Sequence, residues 1–242
     1  MRLRLPTSVS EAQKCLAEGA VPVGGATLIW AAWQRDGFPD LAMSLSSLPE
    51  ATVVEREALG GAVVLHRIGD RVPEVLHRAA ASVGTGAVRR TATVGGNIVG
   101  STLRCLLPAA LVLDARARVL TPDGAYETDL TELVSKRPLL LGLRWREPVV
   151  SGYRKLEGEA GGAPPLVVAA AVHAEGDGRA RVRVAVRDGY EVLGDSTAYD
   201  VGTGAEEVVE ALARTDVGAL HAPAWQVVRE HVTGLLDRPA ER

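Results

Sequence analysis

The sequence has few cysteines, no large surplus of charge of either sign, and no apolar run that could cross a bilayer. Cys15 and Cys105 are the only cysteines. Their separation fits neither a CxxC nor a zinc pattern, and two are too few for an iron–sulfur cluster, so both are expected as free thiols in packed surroundings. With 27 Lys and Arg against 30 Asp and Glu, net charge −3, the 242-residue chain shows no basic stripe, which argues against a nucleic-acid partner. The longest apolar runs, such as residues 166–172, are far shorter than the roughly 20 residues of a membrane span. The opening MRLRLPTSVSEAQKC has no signal-peptide h-region. No membrane association and a cytoplasmic location are therefore expected. The five histidines (66, 77, 173, 221 and 231) form no HxxxH or HExxH pattern, so no metal site is expected. No nucleophile triad or carboxylate pair stands out, and the catalytic residues stay unknown.

What is present is a soluble-type composition, 47% hydrophobic, in a chain long enough to bury a sizeable core. Ser8-x-x-Glu11 is a capping box, followed by Ala12 and Leu16 at helical spacing and Gly19 as a stop. Short strands are expected at residues 41–45, 52–55 and 62–66, and a helix over 72–83 with Pro73 in its first turn. An apolar segment spans 108–114, and a strand at 115–120 ends in the turn Thr121-Pro-Asp-Gly124. Residues 151–165, polar and rich in Gly and Pro, read as a hinge or boundary loop. A hairpin follows, with strands 166–174 and 179–186 joined by Glu175-Gly-Asp-Gly178, and then helices at 206–213 and 223–236. The Gly202-Thr-Gly204 turn reads as a loop entry, and core packing is the default reading for Trp30, Trp33, Trp145 and Trp225, with shielding of a ligand's ring as the alternative.

Two stretches share one design. AVPVGGATLIWAAW places Gly24 and Gly25 after a short apolar strand and before Thr27, and RRTATVGGNIVGSTLRCLLP places Gly95 and Gly96 between Thr93 and Asn97 after a β-branched run. A Gly-Gly turn can point successive N–H groups into one concavity suited to a phosphate. A single such pair is more often only a turn, but two in one chain could grip one pyrophosphate from both sides.

These residues resemble the flavoprotein subunit, or FAD domain, of the molybdenum hydroxylases, the xanthine and carbon monoxide dehydrogenase family. That family carries an AGG-x-[ST] turn near its N-terminus, matched by Val23-Gly24-Gly25-Ala26-Thr27, and an R-x-x-ATIGGN turn, matched by Arg89 and then Ala92-Thr93-Val94-Gly95-Gly96-Asn97. Leu107-Pro108-Ala109 through Asp114-Ala115 is similar to the D-L-P-ALLALDA segment that follows, and SGYRKLEGEAGGAPPLVVAAAV looks like the Y-x-K-F start of the family's C-terminal domain. The resemblance implies an α+β fold: an FAD-binding domain of the molybdopterin dehydrogenase type over residues 1–150, in two α/β subdomains (1–50 and 51–150), then a small α+β C-terminal domain over 151–242 with a short antiparallel sheet and helices. It implies FAD held through its pyrophosphate by the backbone around Val23, Gly24, Gly25, Ala26, Val94, Gly95 and Gly96, with Thr27, Thr93 and Asn97 adding hydrogen bonds and Lys155 reaching the flavin or its phosphates. A solvated loop lysine is the alternative for Lys155. Implied partners are a molybdopterin-binding large subunit and an iron–sulfur small subunit, besides a small-molecule substrate.

The chain also departs from the pattern. Leu106 replaces the family's Asp, removing a polar contact worth about 1–3 kcal/mol; Gly100 and Ala26 replace polar residues. The F-x-GPG-[RK]-T loop is missing between Asp129 and Leu141, and Gly158-Glu159 replaces paired arginines. Three readings stay open: an FAD-binding oxidoreductase subunit passing electrons between a molybdenum and iron–sulfur partner and an acceptor such as NAD or oxygen; a stand-alone flavin-dependent oxidoreductase of specialised metabolism; and a flavin-free scaffold or binding protein on the same fold.

Overall fold

The computed structural model describes residues 1–158 and 162–238, so Glu159 lies outside the described residues. The chain opens with strand β1 (Arg2–Arg4) and helix α1 (Val9–Ala17). The capping box forms: Ser8 Oγ accepts the Glu11 N–H at 3.2 Å, and the Glu11 carboxylate reaches back to the Thr7 N–H at 2.8 Å. The helix buries Ala12 and Cys15, and the chain leaves at Gly19 with φ 81°. Strand β2 (Val21–Pro22), helix α2 (Trp30–Asp36) and strand β3 (Leu41–Met43) complete a parallel sheet in the order β1-β3-β2.

Next come α3 (Pro49–Thr52), β4 (Val54–Glu55) and β5 (Ala58–Gly60). The strand expected at 62–66 is absent: Val64 makes one isolated bridge to Thr93, and Leu65–Arg67 is a single 3-10 turn. The cause is a tight bend, where Gly60 packs on the Ala51 carbonyl and Gly61 on the Leu140 carbonyl, each too close for a side chain. Val63 and Leu65 are buried by that packing, which a strand pattern imitates.

The chain continues through α4 (Glu74–Ala81), α5 (Gly86–Thr91), α6 (Leu107–Val112), β6 (Arg116–Thr121), β7 (Gly124–Thr128), α7 (Leu130–Lys136) and β8 (Leu139–Arg144). Strands β9 (Val150–Lys155), β10 (Val167–Gly176), β11 (Arg179–Asp188) and β12 (Glu191–Asp200) precede α8 (Ala205–Leu212) and α9 (Ala222–Leu236). The first five residues of the expected 151–165 loop are therefore strand β9, recruited because β10 offers Ala169, Ala170 and Ala171 as partners for Tyr153, Gly152 and Ser151.

Two compact units result. The first comprises Met1–Val72, Val83–Leu106 and Ala115–Trp145, and holds the parallel sheet and an antiparallel sheet of order β4-β5-β8-β6-β7. The second takes Pro73–Ser82, Leu107–Asp114 and everything from Arg146 onward, and is built on the antiparallel sheet β12-β11-β10-β9. Val168, Ala170 and Val172 of β10 join one core with Val208, Leu212, Val228 and Val232, while the alternate Val167, Ala169 and Ala171 are equally buried. A strand covered on both faces explains why this stretch reads as one continuous apolar run. His173, on the same strand, is buried with Nε2 2.8 Å from the Val112 carbonyl.

Candidate functional site

Strand β2 is an edge strand, and the chain leaves it immediately. Val23 donates its N–H to the Met43 carbonyl at 2.8 Å, and the next N–H engaged in the backbone is that of Trp30, which donates to the Ala26 carbonyl at 3.0 Å. Between them, the N–H groups of Gly24, Gly25, Ala26, Thr27, Leu28 and Ile29 have no hydrogen-bond partner among the described residues. Ala26 stands at φ 54°, a left-handed conformation that alanine rarely takes. Thr27 is exposed, and Val23, Gly25 and Ala26 are half-buried.

The second glycine pair lies in different surroundings from those expected. The run before it is helical: α5 is capped by Thr85, whose Oγ1 accepts the Val88 N–H at 3.3 Å, and only Thr93 makes a strand-like bridge. The pair then opens a short helical segment whose last part, Gly96–Gly100, is a π-turn. Local β-branched content at Thr91, Thr93 and Val94 suggests a strand, but the Thr85 cap and the Arg89 guanidinium, which donates to the carbonyls of Val83 and Gly84 at 2.9 and 2.8 Å, fix a helix instead.

In this turn the donors are spent internally. Val94 N–H goes to Val63 O at 3.0 Å, Gly95 N–H to Gly61 O at 2.8 Å, Gly96 N–H to Thr93 Oγ1 at 3.2 Å and Asn97 N–H to Thr93 O at 2.9 Å. Thr93, Val94 and Asn97 are buried. The oxygen of the Asn97 carboxamide is committed to the fold as well, because Oδ1 accepts the N–H of fully buried Leu106 at 2.9 Å.

The structure brings the two turns together. A Cβ on Gly24 would overlap Thr93 Oγ1, and one on Gly25 would overlap the Thr91 carbonyl. A Cβ on Gly100 would stand 3.7 Å from Leu28 Cδ1. The first pair is thus glycine because the second turn's backbone and threonine occupy the space a side chain would need. Lys155, in the second unit, donates from Nζ to the carbonyl of Ser82, the C-cap of α4, at 2.9 Å.

Comparison with known proteins shows the family and the fold. The family model for the FAD binding domain in molybdopterin dehydrogenase matches residues 1–141. The chain belongs to this FAD-binding family. Its fold is shared with three solved structures: a Cu,Mo-CO dehydrogenase in a cyanide-inactivated form (TM-score 0.72, 16% identity, 98% of this chain and 96% of that one), a reconstituted CO dehydrogenase from Oligotropha carboxidovorans (TM-score 0.71, 16% identity, 98% and 96%) and quinoline 2-oxidoreductase from Pseudomonas putida 86 (TM-score 0.67, 17% identity, 98% and 95%). No curated protein matches the sequence. A mixed helix and sheet architecture of the FAD-binding type and an oxidoreductase-related role follow from membership.

The residues present fit the cofactor of this FAD-binding family. A pyrophosphate is a dianion, and a run of unpaired N–H groups on a glycine turn solvates it without a basic side chain. Among the described residues no group of three or more His, Cys, Asp or Glu could hold a metal, and no helix is long and apolar enough to cross a membrane. Cys15 and Cys105 are free and buried. Trp145 is buried, but Trp30, expected in the core, is 48% exposed, because α2 buries none of its residues. The sequence also gives little sign of Arg104, at φ 39°, whose buried Nε has no partner among the described residues.

Proposed function

We propose that this chain is the flavoprotein component of a molybdenum-hydroxylase-type oxidoreductase, passing electrons between a molybdenum and iron–sulfur partner and an acceptor such as NAD or oxygen. The observation that carries the cofactor site is the contrast between the turns: open N–H groups from Gly24 to Ile29, closed ones from Val94 to Asn97. In this reading Gly24, Gly25, Ala26 and Thr27 bind the pyrophosphate directly, and Val23 anchors the turn to β3. Thr93, Val94, Gly95, Gly96 and Asn97 form the wall behind it. Bound flavin supplies the capacity to accept an electron pair and release it one or two electrons at a time, with the chemistry residing in the ring. The polypeptide's part is to bind and orient, which is why no acid–base pair is needed. Lys155 belongs to the end of α4 in this scheme, through its bond to Ser82.

A second reading, a stand-alone flavoenzyme, draws on the segment between Asp129 and Leu141. It forms α7 and, directly after Arg137 and Pro138, β8, with no projecting loop. Purification from its native source separates the two readings, because a subunit brings molybdenum- and iron–sulfur-containing partners and a stand-alone enzyme turns over substrate by itself. The cofactor is tested by titrating the purified protein with FAD and following visible absorption. Near-stoichiometric uptake is expected, and protein that remains colourless would place the fold among binding scaffolds.

A further inference from the structure

Trp30 sits immediately after the open run of N–H groups, with nearly half its surface in solvent. Leu28 and Phe38, apolar like it, are themselves 52% and 45% exposed. The sequence contains a single phenylalanine, and it is spent bracing this indole. The ring centroids of Trp30 and Phe38 lie 5.3 Å apart at 71°, an edge-on contact, and Phe38 also meets Trp33 in a tilted pair at 5.9 Å and 59°. In an edge-on pair, whichever ring presents its edge, at least one π-face of the indole stays unused.

We infer that Trp30 is a stacking platform for an aromatic ring of the dinucleotide whose pyrophosphate lies on the adjacent turn. The inference rests on the cofactor reading above and adds a side chain that neither the glycine pattern nor the family match assigns. The arrangement favours a ring ligand over plain exposure for two reasons. The indole already rests against Phe38, and that contact reduces the side-chain entropy left to lose on stacking. It is also continuous with the donor run: Trp30 supplies the first satisfied N–H after it, and Leu28, within it, packs toward Gly100 of the second turn. The ring is either the isoalloxazine or the adenine, which share planar π chemistry.

The test uses the full-length protein and its Trp30→Ala and Trp30→Phe variants, titrated with FAD, FMN and ADP and followed by tryptophan emission and flavin absorption. Stacking on an aromatic side chain predicts a loss of roughly 5- to 150-fold in FAD affinity for Trp30→Ala, near-wild-type binding for Trp30→Phe, and cooperative thermal unfolding of all three without ligand, lowered in Trp30→Ala only by the lost contact with Phe38. The fragment that inherits the loss, FMN or ADP, names the ring. FAD binding by wild type and Trp30→Ala with equal affinity would overturn the inference and leave the cofactor reading intact, as would a loss that Phe does not rescue. No FAD uptake by the wild-type protein would overturn both.

Discussion

Gly24 and Thr93 are locked together: a Cβ at Gly24 would overlap the Thr93 hydroxyl and stand 3.1 Å from its methyl carbon. Sixty-nine positions apart in sequence, they make two glycine turns into one structure. Gly24→Ala is therefore expected to destabilise the protein by about 1–3 kcal/mol, the usual cost of overpacking. Thr93→Ala removes both the obstacle and the acceptor of the Gly96 N–H, costing about 1 kcal/mol alone. The double variant should be more stable than the sum of the two predicts, as measured by urea unfolding. Additivity to within about 0.5 kcal/mol would show that the residues do not touch in solution.

Ala26 carries backbone strain at the proposed binding turn. Left-handed geometry costs a non-glycine residue about 1–2 kcal/mol, and glycine's greater chain entropy offsets about 0.5–1 kcal/mol of the relief. Ala26→Gly should thus raise stability by up to about 1.5 kcal/mol, and Ala26→Val should lower it. Thermal melts in the order Gly, Ala, Val from most to least stable are expected, and the reverse order would mean that the turn is not left-handed at this position.

Asn97→Ala leaves the buried Leu106 N–H without its acceptor, at an expected cost of about 1–3 kcal/mol. Because the bond is internal, the loss should be present in protein free of flavin. A variant that melts normally without ligand and weakens only FAD binding would move Asn97 from the wall of the site into direct contact with the cofactor.

Two histidines of the second unit set an acid limit. Burial pushes the pKa of His173 below the ordinary imidazole value of 6.5, against the pull of its bond to the Val112 carbonyl, and burial does the same to His231, against the Gly152 carbonyl. Both are neutral in the folded state where the unfolded chain already binds protons, so stability is full above pH 6.5 and falls as pH drops through the depressed values. Unfolding free energy measured across this range should decline toward acid, and His231→Gln should flatten part of that decline.

Much of this was legible in the sequence where a local signal and the tertiary context agree. The Ser8 cap, the Gly19 stop, the Glu175-Gly178 hairpin and the last two helices form as their residues suggest. The two glycine turns were visible too, but not their division of labour, because which N–H groups are spent depends on Gly61 and Val63, distant in sequence from the second turn. Strand β12 was unreadable for another reason. EVLGDSTAYD is an edge strand, half-buried, polar and broken by Gly194, and only its ten-pair register with β11 makes it a strand. Trp30 was misplaced because large aromatics are usually interior, and nothing in its neighbours tells a core helix from one left open.

The path of the chain between the two units carries a consequence for biosynthesis. Val75, Leu76, Ala79 and Ala80 of α4, and Ala109, Ala110 and Val112 of α6, emerge early from the ribosome but are buried in the unit whose sheet is not supplied until β9 to β12. For as long as translation takes to cover that interval, these two apolar faces have no sheet to rest on. The nascent protein is thus a natural client for holding chaperones, and any truncation before β9 would leave a sticky product in place of an independent domain.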